Sequence, residues 1–204
     1  QAYNTSIGLH AQTDSYDWMP VPKSWSSNDA KFILKSDFRT GIKGYASERL
    51  TAYSNQFMRR LDWSTGLFFT QANVSDVTNP DLLIQVKRKG ELVLGEDESY
   101  QLDVGTGQIK LTAETDIGAM RGLETLLQLL KGENATYFLQ GVTVTDEPRF
   151  PWRGLMIDVS RHFQPINVIK RNIDALAAVK MNVLHLHLVD DHGFRVESKV
   201  FPQL

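Results

Sequence analysis

Between Arg149 and Arg195 the chain reads strand, helix, strand, and that order constrains the fold more than any other feature. Gly154-Leu155-Met156-Ile157-Asp158-Val159 is the first strand, a helix runs from about Asn167 to Val179 with Ile169, Ile173, Leu176 and Ala177 on one stripe, and Asn182 to Val189 is the second strand. Short connections between such elements make a βαβ unit, whose crossover is right-handed in nearly all cases, so the two strands run parallel and side by side. One helix cannot cover both faces and both edges of such a pair, so the unit opens a larger parallel sheet or barrel.

Upstream the pattern is different. A polar stretch from Gln1 to about Pro20 shows no period and is expected to be an irregular arm or a first edge strand. Pro20, Pro22, Ser24, Ser26 and Ser27 mark a turn-rich segment before a short strand at Lys31-Phe32-Ile33-Leu34. Leu50, Tyr53, Phe57 and Leu61 recur at steps of three and four, which places them on one face of a helix spanning about Glu48 to Asp62. Two strand pairs are expected next: Leu82 to Val86 with Leu92-Val93-Leu94 across Lys89-Gly90, and Tyr100 to Val104 with Gln108 to Thr112 across Gly105-Thr106-Gly107. From Thr115 or Asp116, either of which suits a helix cap, a second helix runs with Met120, Leu123, Leu127 and Leu130 on one face and Gly132 as its stop. Tyr137 to Thr145 is a further strand, and Asp146-Glu147-Pro148 breaks it and places a domain boundary there.

Parity along the second strand of the βαβ unit separates Leu184, Leu186 and Leu188 from Val183, His185, His187 and Val189. The leucines are expected under helices and the imidazoles on the inner side. Ser160-Arg161-His162 follows the first strand directly and Asp190-Asp191 follows the second. Loops at the carboxyl ends of parallel strands converge on one mouth, so Arg161 and Asp190 are expected to share it. A guanidinium and a carboxylate present fixed donors and acceptors that suit vicinal sugar hydroxyls. The same two residues can equally be an ion pair that only fastens two loops, and parity and spacing do not separate the readings. His185-Leu186-His187 also resembles the way some hydrolases hold zinc, but two ligands leave such a site short, and histidines bonded to neighbouring strand residues are the simpler reading.

Composition narrows the class. With no cysteine, the chain has no disulfide framework, thiolate metal site or thiol nucleophile. A formal net charge of −2 and scattered basic residues give no field for nucleic acid. No apolar run approaches the roughly 20 residues of a membrane-spanning helix. Gly105-Thr106-Gly107 lacks the helix of a phosphate loop, Lys87-Arg88-Lys89 reads as a solvated turn, and Asn4, Asn73 and Asn134 begin glycosylation triplets that count only in a eukaryotic secretory protein.

Four ordered segments resemble glycoside hydrolase family 20, the β-N-acetylhexosaminidases: Pro148-Arg149-Phe150-Pro151-Trp152-Arg153-Gly154, Asp158-Val159-Ser160-Arg161-His162-Phe163, Lys180-Met181-Asn182-Val183-Leu184-His185-Leu186-His187-Leu188-Val189-Asp190-Asp191, and Phe201-Pro202-Gln203-Leu204. Arg121 to Leu129 looks like the helix of that family's amino-terminal α/β domain. The resemblance implies an α/β chain: an amino-terminal mixed-sheet domain over residues 1–147, with 1–20 as its arm, then over 148–204 the first βαβ unit of a (β/α)8 TIM barrel that is incomplete in this chain. It implies removal of terminal N-acetylglucosamine or N-acetylgalactosamine, with the substrate's own acetamido group attacking the anomeric carbon. A glutamate that protonates the leaving oxygen and an aspartate that orients the acetamido group belong to a later strand, beyond Leu204, so no catalytic residue is assigned in this chain.

Arg161 and Asp190 match the family's substrate-binding positions, whereas Arg153, at the opposite end of the strand, is assigned to structure, and His162 and Asp191 receive no role. Where many members carry an aromatic residue, this chain has Leu186 between its histidines, a change expected to alter packing rather than chemistry. The resulting expectation is the amino-terminal portion of a secreted or periplasmic β-N-acetylhexosaminidase, inactive as it stands, needing no metal or cofactor, with a glycan as partner and neither nucleic acid nor a membrane span. The alternatives are a stand-alone carbohydrate-binding or interaction module and a zinc-dependent barrel hydrolase.

Overall fold

The computed structural model describes residues 16–70 and 78–203. Thus most of the expected arm, and the triplets at Asn4 and Asn73, lie outside the described residues. Along the chain run β1 (Ser24–Ile33), β2 (Thr40–Gly44), α1 (Glu48–Thr65), β3 (Leu82–Arg88), β4 (Tyr100–Val104), β5 (Ile109–Thr115), α2 (Asp116–Gln128), β6 (Leu130–Glu133) and β7 (Thr136–Asp146). They are followed by β8 (Gly154–Asp158), α3 (Ile166–Ala178), β9 (Val183–His187), β10 (Val189–Asp190) and β11 (Gly193–Phe194). Among the described residues no helix is long and apolar enough to cross a membrane.

The first seven strands form one mixed sheet in the order β1-β7-β4-β5-β3-β2, with β6 also on β7. β2, β3 and β5 run parallel and the remaining pairs antiparallel. Alternate residues of β3, β4 and β5 are buried, among them Leu82, Ile84, Leu102, Val104, Ile109 and Leu111, which are fully enclosed. That period of two turns one face of the sheet toward the helices and leaves the other polar. Leu50, Phe57 and Leu61 of α1 and Ala119, Leu123 and Leu126 of α2 complete the same core.

Local chemistry sets the helix ends. The Ser47 hydroxyl accepts the Leu50 N–H and the Thr115 hydroxyl accepts the Gly118 N–H, satisfying amides that the first turn leaves unpaired. Gly66 ends α1 in the left-handed region at φ 69° and donates its N–H to the Asp62 carbonyl. Gly118 lets α2 approach the sheet, because a Cβ there would lie 2.4 Å from the Ser99 carbonyl oxygen. The two helix starts are joined by Asp116, fully buried, which accepts hydrogen bonds from Ser47 Oγ (2.5 Å), Arg49 Nε (2.7 Å), Arg49 Nη2 (2.7 Å) and the Gly90 N–H (2.8 Å). Burial alone would raise the Asp116 carboxyl, but the bonds from Arg49, Ser47 and Gly90 outweigh it and hold the group at about 2.

Several expectations require correction. Leu92-Val93-Leu94 is not a strand: both edges of β3 are occupied, by β2 and β5, so no partner position remains, and the three side chains lie in an exposed loop. Glu96 shapes that loop by accepting the Arg88 guanidinium and the Glu91 N–H. β1 begins at Ser24, inside the segment read as turn-rich, because it pairs with β7 from Ser24↔Thr145 onward, with an irregularity between Ser27 and Lys31. β2 was not anticipated. α2 buries Ala119, Leu123 and Leu126 fully, with Met120 and Leu127 packed part-buried against the same core, and it ends at Gln128, with Gly132 already in β6.

β8 and β9 form a separate parallel pair in the register Gly154↔Val183 through Asp158↔His187, with α3 as the crossover. This βαβ unit meets the large sheet through polar contacts. Glu98 Oε2 takes Arg121 Nε and Arg153 Nη2, each at 2.6 Å, and Arg153 Nε donates to the Lys180 carbonyl at 2.9 Å. Lys180 sits in the left-handed region at φ 61° and sends its buried ammonium to Asp146 Oδ2 (3.0 Å) and Tyr100 Oη (2.7 Å). Burial lowers the Lys180 pKa, and the neighbouring Asp146 carboxylate opposes that shift. Arg153 is thus engaged in the junction between the sheet and the βαβ unit.

Candidate functional site at the strand ends

Asp158, the last residue of β8, folds the turn that follows it. Its Oδ1 accepts the N–H groups of Ser160 and Arg161, both at 3.0 Å, and its Oδ2 accepts Arg161 Nη1 at 3.0 Å. An aspartate gripping the two amides ahead of it is a standard way to turn a chain, and here it also orients the guanidinium. Arg161 then reaches Asp190 Oδ2 with Nη2 at 2.5 Å. The two residues expected at one mouth are therefore in direct contact, with Arg161 largely exposed and Asp190 mostly covered.

Asp190 does not extend β9. It lies in a short antiparallel hairpin of β10 and β11, where it pairs with Gly193. The Ser160 hydroxyl donates to the Gly193 carbonyl at 2.6 Å, and Arg195 donates to the carbonyls of Val159 and Ser160, each at 3.1 Å, fastening the hairpin to the turn after β8. Gly193 is needed there, because a Cβ would lie 2.9 Å from the Ser160 carbonyl oxygen. Asp190 Oδ1 accepts the Asp191 N–H at 2.7 Å and Oδ2 meets His187 Nε2 at 2.9 Å. These two contacts, the amide first, hold the Asp190 carboxyl below its ordinary range. Asp158 is held low first by the Arg161 N–H, against a smaller opposing effect of burial. Both carboxylates are therefore acceptors at neutral pH, and the guanidinium keeps N–H groups to offer a ligand.

On β9, Val183 and Leu184 both line a cavity shared with Ile173, Leu176 and Ala177 of α3. Of the paired histidines, His187 is engaged by Asp190, three residues further along the chain. No group of three metal-ligating side chains gathers among the described residues. His162 is exposed, and Asp191 contributes its amide to Asp190. Sequence reasoning missed Asp158, which it placed only as a strand residue. The spacing of three between Asp158 and Arg161 across a strand end was the available signal.

Residues 2–129 match the family description "beta-acetyl hexosaminidase like", and residues 150–204 match "Glycosyl hydrolase family 20, catalytic domain". The chain is 42% identical over 158 residues to beta-hexosaminidase subunit A1 of Dictyostelium discoideum, covering 74% of this chain and 30% of that one. It is 31% identical over 186 residues to a beta-hexosaminidase of Vibrio furnissii, covering 91% of this chain and 28% of that one. The X-ray structure of Flavobacterium johnsoniae chitobiase superposes with a TM-score of 0.86 at 47% identity, covering 91% of this chain and 29% of that one. A Vibrio harveyi exo beta-N-acetylglucosaminidase in complex with N-acetylglucosamine superposes with a TM-score of 0.75 at 30% identity, covering 92% and 28%. The chain thus spans less than a third of the length of these relatives. With both stretches matched and the mixed sheet followed by a βαβ unit, the chain belongs to glycoside hydrolase family 20.

Proposed function

We propose that this chain serves a β-N-acetylhexosaminidase, and that Arg161 and Asp190 hold the hydroxyls of the terminal N-acetylhexosamine at the mouth formed by the ends of β8 and β9. The observation that carries this reading is the 2.5 Å Arg161–Asp190 contact, made where two parallel strands end. A largely exposed guanidinium offers N–H groups to sugar oxygens, and an ionised carboxylate accepts from sugar hydroxyls. The curated relatives are named beta-hexosaminidases, and one solved relative holds N-acetylglucosamine, which supports the substrate class. In such a reaction the substrate's acetamido group attacks the anomeric carbon. Arg161 and Asp190 fix the ring for that attack, and the proton donor and acetamido-orienting carboxylate belong to a part of the barrel beyond Leu204. Secretion or a periplasmic location suits an enzyme acting on glycans and is part of the same proposal.

The test is hydrolysis of a chromogenic N-acetylglucosaminide. The 204-residue chain should give no turnover above background, whereas a polypeptide continuing it to the length of its relatives should hydrolyse the substrate. In that longer polypeptide Arg161→Ala should raise KM and lower kcat, a loss on the order of 2–3 kcal/mol in kcat/KM. Robust turnover by the 204 residues, or unchanged kinetics in Arg161→Ala, would overturn the reading.

A further inference from the structure

We infer that the two strand-end residues His187 and Asp158 are positioning residues, one aiming Asp190 and the other Arg161 at the sugar. The inference rests on the binding role proposed for Arg161 and Asp190. In the β8–β9 ladder Asp158 stands directly opposite His187, so both side chains leave the sheet on the same face. From there a continuous series of side-chain contacts runs from His187 Nε2 to Asp190 Oδ2 (2.9 Å), from Asp190 Oδ2 to Arg161 Nη2 (2.5 Å), and from Arg161 Nη1 to Asp158 Oδ2 (3.0 Å). An ionised carboxylate only accepts, so the Asp190 contact requires the proton to be on His187 Nε2.

The contact is not what keeps the loops together. The β10–β11 hairpin is already tied to the turn after β8 by Ser160 Oγ to the Gly193 carbonyl and by Arg195 to the carbonyls of Val159 and Ser160. What His187 adds is orientation. With Oδ1 on the Asp191 N–H and Oδ2 shared by Arg161 and His187, the Asp190 carboxylate plane is defined from three sides. Asp158 does the same for the guanidinium, whose other side-chain partner among the described residues is Asp190 at its tip.

The experiment compares His187→Phe, His187→Gln, Asp158→Asn and Arg161→Ala in the longer polypeptide, reading KM and kcat separately. Misplacing a binding group by about an ångström costs up to roughly a hundredfold. His187→Phe and Asp158→Asn should therefore raise KM by about ten- to a hundredfold, with a smaller change in kcat. His187→Gln, whose amide N–H can reach the Asp190 carboxylate, should recover most of the loss. Parent kinetics in His187→Phe alongside an impaired Arg161→Ala would overturn this inference and leave the binding role standing. If Gln behaved like Phe, His187 would act by packing and the inference would fail. Parent kinetics in Arg161→Ala would remove the binding role and this inference together. A second measurement is independent of turnover: in the 204-residue chain a hydrogen-bonded imidazole N–H should appear far downfield in the proton spectrum and vanish in Asp190→Ala. Its absence from the parent would overturn the contact on which the inference stands.

Discussion

The seven-stranded sheet and the βαβ unit beside it are held in opposite ways. The sheet carries a core in which Leu102, Ile109, Leu111, Leu123 and Leu126 are fully enclosed. Among the described residues the βαβ unit buries only Val159, Ile169 and Leu176 as hydrophobic side chains, and Leu155 and Met156 of β8 are 38% and 54% exposed. Its attachment to the sheet region relies on two ion pairs, Arg153 with Glu98 and Lys180 with Asp146, and Arg121 of α2 braces the same Glu98 carboxylate from the sheet side. The difference teaches that one region is specified by apolar burial, while the other is oriented by charged groups whose desolvation is tolerable only while every partner is present.

The contrast can be broken by removing one support from each region. Leu111→Ala, which empties space against Gly122 of α2, should destabilise the chain by about 3 to 4 kcal/mol in denaturant unfolding. Next comes Lys180→Met, at about 2 to 3 kcal/mol, because it takes the cation from the buried Asp146 carboxylate and leaves it the hydrogen bonds from Tyr100 Oη and the Lys23 N–H. Adding Asp146→Leu should then recover part of that loss, and a purely additive double variant would contradict an ion pair as the fastening. Acid sharpens the picture within the sheet region. The native Asp116 carboxyl lies at about 2 against 3.8 for the free group, so its contribution is complete above about pH 4 and disappears as pH falls through 2. Stability measured down that limb should fall by about 2 kcal/mol on this account, and Asp116→Asn should flatten it. The smallest effect belongs to Met156→Ala, expected to cost under about 1 kcal/mol. A cost equal to that of Leu111→Ala would mean that β8 is held by packing after all.

Elements with a clean period were legible in the sequence. The alternation of β3, β4 and β5, the three-and-four spacing of α1, and the Thr115 cap all follow from local sequence. β2 was not, because Thr40-Gly41-Ile42-Lys43-Gly44 has two glycines and a single large apolar side chain, and pairing with β3 makes it a strand. Leu92-Val93-Leu94 failed for the converse reason: local propensity favoured a strand, but the sheet had no vacant edge. At the site, Arg161 and Asp190 were legible because each comes just past the end of a strand of the βαβ unit, Arg161 after β8 and Asp190 after β9, and the structure puts them in contact. The junction was illegible. Lys180 meets partners 34 and 80 residues away, and Arg153 meets one 55 residues away, separations at which neither spacing nor parity carries information.

The loop between β3 and β4 carries, two residues before β4, Glu98, the carboxylate that receives both Arg121 and Arg153. The spacing from Glu98 to Tyr100 is therefore not free to drift, whereas the exposed stretch around Leu92 to Leu94 is. An insertion or deletion between Glu98 and Tyr100, where β4 begins, would shift Glu98 out of register with Arg121 and Arg153. The seating of β8 and β9, and with it the placement of Arg161 and Asp190 at their far ends, would change without any substitution at either residue.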